Sequence, residues 1–132
     1  MFTNADCTIF NAYYDSSQRC EKWKKTVIKD IYWEDVSGEN SQQTGLLNDC
    51  SAFVVIPKES INVQNYQKPK DFKSNPVGFT FAPNDVIVRG VCDVDYSSIK
   101  NVQALDDSHT ILKVSDFLYG SRDVQHWEVQ SK

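Results

Sequence analysis

The chain has 132 residues, a formal net charge of -4, 40% hydrophobic and 24% charged residues. That is one soluble globular domain, 1–132, long enough to bury about two thirds of its unfolded surface without staples. No run approaches the roughly 18 apolar residues of a membrane-crossing helix, and an acidic balance suits neither generic duplex-DNA binding nor an anionic membrane. The first ten residues hold no basic region and no apolar run, so no secretory signal is expected. The four cysteines, Cys7, Cys20, Cys50 and Cys92, include no Cys-x-x-Cys pair and read as reduced thiols of a cytosolic protein.

β-Branched residues dominate: Val and Ile far outnumber Leu and Ala. Such side chains lose rotamer freedom in helices and pack well on pleated sheets, so the fold class is mainly β. In chain order, the first predicted strand is Asp6–Tyr14. It has Cys7, Ile9 and Asn11 on one face, and Thr8, Phe10 and Ala12 on the other. The second is Trp23–Trp33. Its Trp23, Val27 and Ile31 also fit a helical face, but the Thr-Val-Ile centre favours a strand. The third, Ser51–Pro57, is a continuous apolar run typical of a strand buried on both faces, ended by Pro57.

A short fourth strand is predicted at Gly78–Phe81, followed by a turn at 82–85. The fifth is Val86–Cys92, with Gly90 marking a bulge or a close backbone approach. A helix capped by Ser97 is predicted over Ser97–Leu105. Thr110–Phe117 and Val124–Val129 complete the set as a hairpin around Gly120. Six to seven short strands and one short helix imply a small β-barrel or sandwich. Trp127 lies so near the end of the chain that this end is expected to be docked.

Two connections, about 35–49 and 58–77, exceed the usual 12–15-residue limit for structureless loops, which makes them candidates for function. The second holds Tyr66, Lys68, Lys70, Phe72 and Lys73, an aromatic and basic mixture suited to gripping a partner surface. Catalytic signals are weak. His109 and His126 are the only histidines, and no Gly-x-Ser-x-Gly elbow accompanies them. Asp93 and Asp95 share a strand face but lack a third ligand. The basic run Arg19, Lys22, Lys24, Lys25, Lys29 with Trp23 interleaved has the ingredients of a single-strand nucleic-acid surface, but Asp15, Glu21 and Asp30 dilute it. Neither an enzyme nor a cofactor is expected.

Scattered along the chain are Thr3-Asn4-Ala5-Asp6-x-Thr8-Ile9-Phe10-Asn11, Trp23-Lys24-Lys25-Thr26-Val27-Ile28-Lys29 with Trp33, and Asp85-Val86-Ile87-Val88-Arg89-Gly90. Val114-Ser115-Asp116 and Gln125-His126-Trp127-Glu128-Val129 follow. This arrangement resembles the neck proteins of tailed bacteriophages, the head-closure or head–tail connector proteins. The resemblance implies a small barrel forming a homo-oligomeric ring between phage portal or adaptor and tail proteins. It further implies assembly in the host cytoplasm, residence in the virion, no membrane, and passage of DNA without sequence-specific binding. Head-closure relatives are often shorter, which leaves tail-completion and tail-terminator roles open. A phage-encoded inhibitor of a host enzyme is the alternative from another class, and a ligand-binding barrel, which needs a hollow apolar interior, is a third.

Overall fold

The structure is a computed structural model and describes residues 3–35, 51–60, 65–92 and 99–132. Six strands form it: β1 (Ala5–Asp15), β2 (Cys20–Asp35), β3 (Ala52–Pro57), β4 (Val86–Arg89), β5 (Ser108–Phe117) and β6 (His126–Ser131). They close into an antiparallel barrel in the order β1-β2-β3-β6-β5-β4. Two short helices, α1 (Pro69–Ser74) and α2 (Ile99–Gln103), lie between strands. The barrel expectation therefore holds, and the predicted loop 35–49 falls almost wholly outside the described residues.

Closure depends on the length of β2. Its residues 20–31 pair with β1 and its residues 32–35 pair with β3, so one strand turns the corner between two sheets. A bulge marks the change: Ala5 faces Ile31 but Cys7 faces Ile28. Asp30 takes the extra place with φ 62°, and its N–H donates to Asp6 Oδ1 at 3.0 Å. An aspartate tolerates this left-handed conformation better than most residues do.

The interior is built by alternation. Cys7 and Ile9 of β1, Ala52, Val54 and Ile56 of β3, and Trp127 and Val129 of β6 all point inward and are buried. β3 thus alternates buried and half-buried positions rather than burying both faces. The strand buried on both faces is β4, with Ile87 inside and Val86 and Val88 outside. The reason is α2 with the turn that follows it, which lay Ile99, Val102 and then Leu105 over an outer cluster of Phe10, Val86, Val88 and Cys92.

Two elements differ from expectation. The Val86–Cys92 strand ends at Arg89, because Gly90 turns out of the ladder at φ 84° while its N–H still bonds Asp6 O at 2.7 Å. Gly78–Phe81 makes no ladder, only one parallel bridge between Tyr66 and Phe79. Its apolar residues are instead buried inward, closing the wall where β4 is too short.

Candidate functional site

The stretch predicted as a structureless loop over 58–77 is ordered wherever it is described. It holds a 3-10 turn at Lys58–Ser60 and then α1, and it continues into 78–85 as a cover over the barrel. Pro69 opens α1, where its missing N–H costs nothing. Gln67, nearly buried, staples the segment. Its Oε1 accepts from the N–H groups of Val77 (3.1 Å) and Gly78 (2.8 Å), and its Nε2 donates to Asp71 Oδ2 (3.0 Å) and Asn75 O (2.9 Å). The amide fills its donor and acceptor capacity in one place.

The five residues predicted to grip a partner divide in two. Lys68, Lys70 and Lys73 are exposed. Phe72 is 1% exposed and meets the edge of Tyr13 at 6.4 Å. Tyr66 is half-buried, its ring 4.8 Å from Trp127 and 5.6 Å from Phe81. The two aromatics therefore serve the chain's own packing, and replacing them would damage the fold rather than only a contact. The cause is the periodicity of α1 and the bridge at Tyr66, which turn these rings inward and leave the lysines in water.

Burial raises the Tyr66 hydroxyl above its ordinary value, although Trp127 and Thr80 lie near enough to oppose the shift. Trp127 Nε1 and Thr80 Oγ1 are both buried, and the Tyr66 hydroxyl is the polar group set against them. Beside this cluster a pocket of about 320 Å³ opens, lined by Pro69, Pro83, Leu112, Val114 and Trp127, with Lys113 and Asp116 on it as well.

A larger cleft of about 500 Å³ lies on the other side of α1, between Ala12, Trp23, Phe72, Lys73, Thr80 and Asp85. At its base is a buried polar pair. Asn11 Nδ2 donates to Asp85 Oδ2 at 2.9 Å and to Thr80 O at 2.7 Å, and Asn11 Oδ1 accepts from Thr80 N at 3.2 Å. Asp85 Oδ1 accepts from Ala12 N at 3.2 Å, so the carboxylate satisfies a β1 edge that no strand covers among the described residues. A polar residue on the face of Cys7 and Ile9 was the sequence signal for Asn11; Asp85 and Gln67 left no such mark.

Burial pushes the Asp85 carboxyl up, and the bonds from Asn11 and Ala12 only partly offset it. A carboxyl raised in the folded state stabilises fully below its unfolded value, about pH 4, and that contribution is lost as pH rises through the folded value. Asp85→Asn is therefore expected to flatten the decline in urea midpoint as pH rises above about 4. Parallel profiles for the two proteins would refute this.

The remaining candidates are structural in their surroundings. His126 stacks on Phe117 at 5.1 Å, and its Nε2 lies 2.9 Å from Glu128. His109 packs on Trp33 at 5.2 Å, with Ser51 Oγ 3.5 Å from its Nδ1, a distance at the limit of a hydrogen bond. Burial lowers the His109 pKa. Asp93 and Asp95 lie outside the described residues. Cys7, Cys20 and Cys92 are free thiols, and burial drives that of Cys7 far above its ordinary range. Of the basic run, Lys22 pairs with Asp15 at 3.0 Å and Lys24 Nζ bonds Val77 O at 2.7 Å. Lys25 and Lys29 are exposed.

A closed six-stranded barrel sealed by a stapled cover defines the class: a small all-antiparallel barrel protein with two short helices. The chain belongs to the family of unknown function DUF6751, which matches it over residues 2–132. No curated protein and no solved structure matches it.

Proposed function

We propose that this protein is a structural subunit of a tailed-phage neck, a head-closure or connector protein that forms a ring around the DNA channel. The observation that supports it is the filled barrel. Trp127, Phe79 and Phe81 occupy the interior together with Ile9, Ile56 and Ile111, so the barrel is a rigid body rather than a container. That weighs against the ligand-binding barrel, which needs a hollow interior. A subunit that transmits force through contacts needs such a body and needs no reaction chemistry. The sequence resemblance to neck proteins supplies the phage setting. The exposed lysines of α1, Lys68, Lys70 and Lys73, are the part of the predicted partner surface that stays available. In this reading the partners are other copies of the chain and the portal, adaptor and tail proteins, and no membrane is involved.

Inactivating the gene in its phage or prophage tests the reading. The expected result is DNA-filled heads and separate tails, with few joined particles by electron microscopy. Normal yields of tailed, infectious particles would overturn it and direct attention to the inhibitor alternative.

A further inference from the structure

Asp85 is the one charged side chain that is buried among the described residues, at 6% exposure. Buried charges in folded proteins are normally paired, because taking a lone charge out of water is costly. Asp85 accepts from Asn11 and Ala12 but makes no ion pair among the described residues. Asn11 has nothing more to give, since its Nδ2 hydrogens are spent on Asp85 and on Thr80 O. Lys73 draws on the carboxylate electrostatically across the cleft without reaching it.

The carboxylate is fixed in place where it lines the cleft. The turn that carries it is pinned to β5: Asn84 N donates to Ile111 O, and Ile111 N donates to Asp85 O, both at 2.8 Å. Asn84 supplies the left-handed conformation of this turn, with φ 74°. An ionised carboxylate has about four acceptor positions. Asn11 takes one on Oδ2 and Ala12 takes one on Oδ1, so each oxygen keeps one. Two such positions side by side are what the parallel N–H groups of a guanidinium meet.

We infer that the cleft beside α1 is a binding site for a guanidinium group on an apolar stem, with Asp85 as its counter-ion. The walls suit that chemistry. Trp23, Phe72, Pro69 and Pro83 line the cleft, and a guanidinium stacks on aromatic faces and sheds water more readily than an ammonium. Its volume of about 500 Å³ falls in the range of small-molecule sites and leaves room for the stem. Glu21 also lines it, so two carboxylates face the single Lys73. Glu21 and Lys73 are exposed and screened by water, whereas Asp85 is not, which leaves Asp85 the dominant charge. A metal ion suits the cleft less well, since no group of three metal-ligating side chains occurs among the described residues. Burial raises the Asp85 carboxyl, and a bound cation acts in the opposite direction. The inference stands on this cleft and goes beyond the neck reading.

The experiment titrates the nitrogen-labelled full chain with n-butylguanidinium, its uncharged analogue n-butylurea, and the peptide acetyl-Gly-Arg-Gly-amide, following amide and indole signals by NMR. Saturable shifts at the Ala12 amide and the Trp23 indole are expected with n-butylguanidinium and not with n-butylurea. Tighter binding of the peptide would identify an arginine of a partner protein as the source, and its failure to bind would identify a free small molecule. Asp85→Asn, checked for folding by its melting curve, is expected to lose about tenfold or more in affinity. Lys73→Gln changes only an exposed side chain and is expected to tighten binding by about two- to fivefold at low salt, because it removes a like charge. Should Asp85→Asn fail to fold, Lys73→Gln and the n-butylurea comparison carry the test. Binding of n-butylurea as tight as that of the cation, weaker binding by Lys73→Gln, or no saturable shift with either guanidinium probe would overturn the site.

Discussion

Trp127→Ala is expected to destabilise the fold by about 3–5 kcal/mol, the usual range for emptying a buried large aromatic. Trp127 is 1% exposed and points into the barrel from β6, where its neighbours in register are Ile56 and Asp116. Its ring packs on Tyr66 at 4.8 Å and on Phe81 at 5.4 Å, so it joins the barrel wall to the cover. An alanine leaves a void at that junction, and the surrounding ladders of β3 and β5 hold the wall too firmly to collapse into it. Urea unfolding followed by far-ultraviolet circular dichroism measures the loss. Trp127→Phe should cost much less, because a phenyl ring keeps most of the volume at the junction filled. A phenylalanine variant as unstable as the alanine variant would mean that filling this junction is not what Trp127 contributes.

The legible parts of this fold were those written as local periodicity. β1, β2, β5 and β6 follow the alternating pattern to within about two residues at most ends, the usual limit for reading boundaries. The docked Trp127 and the turn before β4 were legible for the same kind of reason: a large apolar ring near an end, and a Pro-Asn-Asp cluster. What stayed hidden depends on distant partners. Tyr66 and Phe72 look like exposed grip residues in a polar stretch, yet Gln67 ties that stretch down over the barrel through bonds to residues up to 11 places away. No window of sequence shows which backbone groups one amide will reach. The same holds for Asp85, whose role comes from a β1 edge 73 residues earlier in the chain. Closure order stays hidden for the same reason, since strand patterns alone do not determine it.

Gly78→Ala is the smallest substitution with a large expected effect, a loss of about 3 kcal/mol from overpacking. The cause is space, not conformational freedom. A Cβ on Gly78 would lie 1.8 Å from the Asn65 carbonyl oxygen and 2.7 Å from its carbon. Backbone atoms cannot swing aside as a lysine tip can, so the two segments must separate. That same carbonyl accepts the Phe79 N–H at 2.9 Å, and Gln67 N donates to Phe79 O at 2.8 Å. Separation therefore breaks the parallel bridge, pulls the Gly78 N–H from Gln67 Oε1, and loosens Phe79 and Phe81 from the barrel interior. The barrel ladders are not directly touched, so the damage should begin in the cover. Limited proteolysis is expected to cut Gly78→Ala within residues 65–82 under conditions that leave the wild type whole, with the urea midpoint lowered in step. A variant as resistant and as stable as the wild type would show that the cover is not held by this close approach, and the account of Gln67 as its staple would fall with it.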